Sequence, residues 1–479
     1  MAIDGYADFD ATDLAGLIAS GEITALEVLE EAIERAQRVN PILNAVVYPW
    51  YDHARNRLSH LSKGAFQGVP FLLKDLFTDY AGQKQSNGSR VLADTVADHD
   101  CELVARYKAA GLSIFGRTAS PEFGLSTTTE SLVHGVTRNP WNLEHTAGGS
   151  SGGASSIVAA GVIPMAHASD GGGSIRIPAS CTGLFGLKPT RGRLPMGPDV
   201  GEGWSGLATA HCVSRSVRDS AALLDCTAGP DLGAPYWAEP PLRPYIEEIG
   251  RNMPRGLRVG LIQAAWFDVE THPDCIDATN AAAEICCQLG LEVDNATLPI
   301  PQHMLEADLQ IIYANTRQGV EMIEESLGRK MTENDIEKNN LLMARNDQST
   351  GADYVRALQG IHALGRLVAD FFQHYDLMLT PTMPVPPMEI GRLSPSREDT
   401  TAQWRDVIHT IGYTAVFNAS GNPAASVPLH WNDSGLPIGV QFVAPYGDEA
   451  TLFRIASALE QAAPWTQRKP PIHSDNQHT

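Results

Sequence analysis

The chain has 479 residues, 43% hydrophobic and 19% charged, which is the composition of a globular protein able to bury a sizeable core and not of a disordered one. Its formal net charge is −21, from 35 Lys plus Arg against 56 Asp plus Glu, with no Lys/Arg run of five or more residues. Polyanion binding needs clustered cations, so nucleic acid and anionic membrane are excluded as direct partners at this stage.

The opening stretch MAIDGYADFDATDL is acidic, lacks an apolar run and is not read as a signal peptide. Residues 12–20 and 24–39 read as two helices. Thr24 with Glu27 forms a capping box, and Ile23, Leu26, Val28, Leu29 and Ile33 supply an apolar stripe. Asn40-Pro41 is expected to stop the second helix. NAVVY (44–48) is a short strand, and GVPFLLKDL (68–76) is an apolar strand running straight into Lys74 and Asp75. DHDCELVARYKAAG (98–111) is a helix, followed by the strand LSIFG (112–116). The pattern returns with strands at 257–262 and 376–382 and helices at 274–290 and 450–462. This alternation predicts an α/β protein.

The segment 303–375 is mostly helical and polar, and reads as a cap or an added layer. The stretches 229–245 and 381–395 are expected to be surface connections, and the polar tail from Trp465 is expected to fray. No window approaches the roughly 20 apolar residues of a spanning helix. The seven cysteines (Cys101, Cys181, Cys212, Cys226, Cys275, Cys286 and Cys287) are odd in number and contain no C-x-x-C. That argues against a disulfide framework or a zinc ribbon and points to a reducing, cytoplasmic setting. No H-E-x-x-H or comparable metal set occurs among the 15 histidines, so neither a metal nor another cofactor is expected.

The stretch TAGGSSGGASS (146–156) admits several readings. A flexible linker is disfavoured by its flanks, because an apolar segment and a second glycine cluster, SDGGGSIRIPAS (169–180), follow at once. A phosphate loop needs a lysine that is absent here. A hydrolase elbow is matched by G-x-S-x-G around both Ser150 and Ser151. It also requires a strand directly before it, and RNPWNLEHTA reads as a loop.

Taken together, Lys74-Asp75, GGSSGG (148–153) and DGGGSIRIP (170–178), with 24 residues from Ser150 to Ser174, resemble the amidase signature family. The likeness extends to RNPWN (138–142), GLKPTRGR (186–193), NPAASVPL (422–429) and PIGVQFVA (437–444), and covers nearly the whole chain. Within the family, YADFDATDL, GLKPTRGR, SRSVRDSAALLD (214–225) and GRKMTENDIE (328–337) are most similar to bacterial 6-aminohexanoate cyclic-dimer hydrolases.

The resemblance implies a single domain over 1–479, with a large mixed, twisted sheet covered by helices on both faces. A helical N-terminal segment would occupy about 1–40, the catalytic core about 65–225 and the cap-like segment about 303–375. It implies a serine amidohydrolase acting on linear or cyclic amides, anilides or carbamates through an acyl-enzyme on Ser174. Ser150, on a cis peptide, would relay a proton to Lys74. A lysine is a base only if desolvated, and the apolar VPFLL before Lys74 suits that.

Gly171, Gly172, Gly173 and Ser174 would supply the oxyanion hole, with Ser151, Asp170 and Arg176 as supports. Family members often carry Thr or Ile where this chain has Gly171, a departure expected to loosen the loop. Gly124, Leu125, Ser126 and Thr127 are expected along the acyl pocket, with Tyr313, Asn315 and Thr316 closing its other side. Cys181 is read as a small buried hydrophobe. Partners reduce to a small-molecule amide or carbamate and a second copy in a homodimer. Two other readings stand beside this one: a glutamine-dependent amidotransferase A-type subunit, and a GxSxG α/β-hydrolase esterase.

Overall fold

Thr24 and Glu27 cap a helix over Ala25–Leu43 in a computed structural model that describes residues 3–476. The helix does not stop at Asn40-Pro41. It carries Pro41 inside and closes on Asn44, whose φ is 50°. The Asn40 side chain accepts the Ala45 and Val46 N–H groups and donates to the Val46 carbonyl. A side chain thus satisfies the backbone where the proline interrupts the helical ladder.

Eight strands form the main sheet, in the order Glu292–Asn295, Arg258–Leu261, Leu377–Pro381, Pro437–Val443, Ala424–Trp431, Phe185–Lys188, Thr209–Ser214 and Met165–Asp170. Arg258–Leu261 runs parallel to both neighbours, and the other pairs are antiparallel. The sheet is therefore mixed, as expected. Helices Gly152–Ala159, Arg176–Thr182, Val217–Thr227, Pro273–Gln288 and Glu449–Ala462 pack on it.

A smaller sheet, Val46–Pro49, Ser113–Thr118 and Pro70–Lys74, lies against the Met165–Asp170 edge. Pro70–Lys74 is buried along its whole length, which is why it reads as an unbroken apolar run. Its last N–H, on Lys74, donates to His167 Nδ1 at 3.1 Å, and this contact fixes the lysine beside the large sheet. Helices Gln302–Leu327 and Gly351–Phe371 pack on each other, over a separate apolar cluster that includes Leu125, Leu207, Ile311, Trp266 and Phe417.

Three readings need correction. Asn142–Thr146 is a strand, paired with Arg138–Asn139 in a two-stranded ribbon outside the main sheet. The Pro-rich 381–395 stretch is largely buried at its start and bonds along that ribbon, through Thr146 N–H to the Met388 carbonyl and Ile390 N–H to the Glu144 carbonyl. The tail does not fray up to Asn476. Trp465 is buried, and Ser474 is held by Arg35 and by the Gly161 carbonyl. In both segments, contacts distant in sequence override a polar or proline-rich composition. Among the described residues, no helix is long and apolar enough to cross a membrane.

Candidate active site

Ser150 sits between the ribbon and the buried helix Gly152–Ala159, on a cis Gly149–Ser150 peptide. Lys74 Nζ donates to Ser150 Oγ at 2.7 Å and to Ser169 Oγ at 3.0 Å, and approaches the Ser169 carbonyl at 3.4 Å. All three acceptors are neutral oxygens. Burial lowers the Lys74 ammonium to about 7, against the opposing pull of Asp170. Burial, with Lys74 and Arg117 nearby, also keeps His167 uncharged.

Ser174 follows three glycines at the end of the edge strand and is partly exposed, whereas Lys74 and Ser150 are buried. Asp170 braces this loop. Its carboxylate accepts the Gly173 and Ile175 N–H groups, one on each side of Ser174, at 2.7 and 3.1 Å. Arg176 grips both oxygens, Nη2 to Oδ1 at 2.9 Å and Nε to Oδ2 at 3.0 Å. Burial pushes the Asp170 carboxyl up, and the Arg176 guanidinium with the Asn418 amide more than reverses this, holding it well below the usual range. Arg176 also donates to the Thr414 carbonyl and the Gln441 amide. Gly173 has a φ of 138°, and a Cβ there would meet Thr414 Oγ1 at 2.4 Å, so only glycine fits.

The Gly173 N–H is thus taken by Asp170 and is not a donor aimed at a substrate oxygen. Gly171 is not a loosening gap either. A Cβ at Gly171 would meet two atoms of the Trp204 ring at 2.8 Å, so an aromatic side chain fills the space. Ser151 does not reach Lys74. It exchanges hydrogen bonds with the Ser169 backbone, accepting from N–H at 3.3 Å and donating to the carbonyl at 3.2 Å.

The 124–127 segment lies against Ser150. A Cβ on Gly124 would come within 3.3 Å of Ser150 Oγ, and one on Gly149 would strike the Thr127–Thr128 backbone at 2.7 Å. Leu125 is buried in the second apolar cluster. Ser126 bonds Thr128, and Thr127 Oγ1 pairs with Thr410 Oγ1 at 2.7 Å.

The helix residues divide. Asn315 donates to Ser205 Oγ at 3.0 Å and to the Ile311 carbonyl. Thr316 spends its hydroxyl on the Ile312 carbonyl. Tyr313 faces elsewhere, lining a cleft of about 480 Å³ with Gln310, Met343 and Trp404. At 100° per residue, Tyr313 and Asn315 cannot share one side of a helix.

The sequence reading missed Ser169, Asn418, Thr414 and Trp204. Ser169 was legible as the neighbour of Asp170 on the lysine-facing strand. The other three lie far from the glycine loops in sequence and carry no motif. Cys181 is buried, and burial pushes its thiol up to about 12, which suits a hydrophobe. One group has metal-ligand spacing among the described residues, Asp79, His99 and Asp199. Both His99 ring nitrogens already pair with carboxylates, those of Asp98 and Asp199.

A mixed sheet, two glycine–serine loops and a buried lysine define an amide hydrolase of the serine type. The chain belongs to the amidase family, which it matches over residues 27–453, and it hydrolyses carbon–nitrogen bonds of amides other than peptide bonds. It is 39% identical over 477 residues to a 6-aminohexanoate-cyclic-dimer hydrolase of Pseudomonas sp. (strain NK87), covering 97% of this chain and 96% of that one. A solved structure of a 6-aminohexanoate cyclic dimer hydrolase superposes with a TM-score of 0.93 at 38% identity, covering 98% and 99% of the two chains. A bacterial aryl acylamidase follows with a TM-score of 0.87 at 28% identity, over 96% and 97%.

Proposed function

We propose that amide cleavage proceeds through an acyl-enzyme on Ser174, with Ser150 passing a proton to Lys74. The observation that carries this reading is the 2.7 Å contact of Lys74 Nζ with Ser150 Oγ at a buried position where, among the described residues, no carboxylate bonds the lysine. Neutral Lys74 takes the Ser150 proton as Ser150 takes that of Ser174. Ser174 Oγ then attacks the carbonyl carbon. The oxyanion meets backbone N–H groups of Gly171, Gly172 and Ser174, while Gly173 serves the Asp170 brace. The proton returns through Ser150 to the leaving amine, and water releases the acyl group.

The substrate class we favour is an uncharged linear or cyclic amide, of which the 6-aminohexanoate cyclic dimer is the first to test, with anilides and carbamates next. Helices within 303–375 act as a cap over this site, the core spans about 65–225, and the N-terminal helices to about 40 buttress it. The seven unpaired thiols support cytoplasmic residence, and a homodimer without nucleic acid or membrane partners completes the reading.

A turnover screen across nylon-type oligomers, aryl amides and carbamates, with Ser174→Ala and fluorophosphonate labelling, tests it. Labelling at Ser174 and loss of turnover in the variant are expected. Labelling at Ser150 or Ser151 would sink the assignment in favour of an elbow esterase. Glutaminase activity appearing only with a stoichiometric partner would favour the amidotransferase class.

A further inference from the structure

Trp204 and Ser205 are consecutive non-glycine residues with positive φ, 46° and 52°. Bulky L-residues rarely occupy that region, and such outliers persist only where the surroundings enforce them. Here the surroundings reach the Ser174 loop and the cap helices. The Trp204 ring fills the place of a side chain at Gly171, on the loop that ends in Ser174. The ring is half-buried and packs on the cluster that contains Leu125, Leu207 and Ile312. Ser205 Oγ accepts the Tyr354 hydroxyl at 2.6 Å and the Asn315 amide at 3.0 Å, tying the turn to both long cap helices. Two residues on, the Leu207 carbonyl shares the Asn418 amide with Asp170.

Resting on the assignment of Ser174 as nucleophile, we propose that Trp204 is the specificity-determining wall of the acyl site, held in place by Ser205. The ring takes volume beside the oxyanion loop that other side chains would leave to substrate. An unbranched methylene chain can lie along its flat face, whereas an α-branched acyl group collides with it. Gly171 and Trp204 form a matched pair, since a Cβ on the first requires the second to withdraw. Ser205 is a positioning residue: it touches no substrate and acts by fixing the turn against the helices that carry Asn315 and Tyr354.

The test uses the full chain and two p-nitroanilides, of hexanoic and of pivalic acid, with fluorophosphonate labelling of Ser174 as a check on the nucleophile. Trp204→Ala is expected to lower the hexanoyl-over-pivaloyl ratio of kcat/KM by about tenfold or more, the scale on which a pocket wall discriminates, with Ser174 still the labelled residue. Ser205→Ala should shift the ratio in the same direction by less. Gly171→Ala should lose activity, and Gly171→Ala with Trp204→Leu should recover it. The rescue also decides the matter if Trp204→Ala does not fold, because a structural defect alone would deepen in the double variant. An unchanged ratio in a labelled Trp204→Ala, or a double variant no better than Gly171→Ala, overturns the proposal. Failure of the parent protein to label at Ser174 instead overturns the nucleophile assignment, and this inference with it.

Discussion

Lys74 Nζ lies 2.7 Å from Ser150 Oγ and 3.0 Å from Ser169 Oγ, with no carboxylate in contact among the described residues. An ammonium in this setting loses its hydration, and the pull of Asp170 offsets only part of that loss, so its pKa falls from 10.5 to about 7. A base must be free of its proton. We therefore expect kcat/KM to rise with pH along a one-proton limb centred near that value, and the limb to vanish in Lys74→Met along with about 10²–10⁴-fold of the rate. The unfolded chain binds this proton more tightly than the folded one, so the same group makes stability rise with pH between about 7 and 10.5. A pH–rate profile with no inflection between pH 6 and 8 would remove Lys74 as the base.

That lysine shows what the sequence could and could not reveal. VPFLL predicted burial for a residue that would otherwise be a surface lysine, and the two glycine loops were placed by local motif. The α/β class followed from the alternation of apolar runs, and the mixed sheet from the family resemblance. Contacts that cross the chain were out of reach. Trp204 fills the space at Gly171, and Asn418 and Gln441 complete the shell around Arg176, yet no periodicity marks these residues. Glycine at 171 read as a loosening of the loop because the aromatic ring that packs there comes 33 residues later. The end of the second helix was misread for the same reason. Pro41 is a local signal, and it was outweighed by Asn40 bonding the following strand.

The Asp170–Arg176 pair is fully buried on both sides, and five further residues bond to it: Gly173, Ile175, Asn418, Thr414 and Gln441. Removing one partner strands the other charge. Arg176→Ala should destabilise the fold by about 3–5 kcal/mol, and should also slow turnover because Asp170 braces the amides flanking Ser174. Arg176→Lys keeps the charge but loses the two-pronged grip, so it should recover part of the stability and little of the rate. Urea denaturation beside kcat measurement checks this. A stable, fully active Arg176→Ala would show that the loop does not need the pair.

Glu337 and Glu122 form an acid pair under the cap. The Glu337 N–H donates to Glu122 Oε2 at 2.7 Å, and Glu337 Oε1 accepts the Leu132 N–H at 3.0 Å. Burial and the Glu122 charge raise Glu337 from 4.5 to about 8. The folded state then holds a proton that the unfolded state has released, so this pair makes stability fall as pH rises through that window. Glu337→Gln mimics the protonated acid at every pH. Its Tm should match the parent near pH 5 and exceed it at pH 8. Parallel Tm profiles for the two proteins would show that Glu337 is ionised throughout.

Gly173 is the position where backbone geometry and neighbours leave least choice. Its φ of 138° is closed to side chains, and a Cβ would press on Thr414 Oγ1 at 2.4 Å and Ile177 Cδ1 at 2.7 Å. Thr414 cannot simply turn away, because its hydroxyl donates to the Gly172 carbonyl at 2.6 Å. Gly173→Ala must therefore move the loop and swing the amides of Gly172 and Ser174, the donors proposed for the oxyanion. Loss of one such donor is worth about 10²–10³ in kcat. Since those amides act on the transition state more than on bound substrate, KM should change much less than kcat. Adding Thr414→Ser keeps the hydroxyl, removes a methyl group and should return only a small part of the rate, because the φ restriction remains. Steady-state kinetics on a chromogenic anilide separates these effects, and a Gly173→Ala enzyme altered mainly in KM would place the loop in substrate binding and not in stabilising the oxyanion.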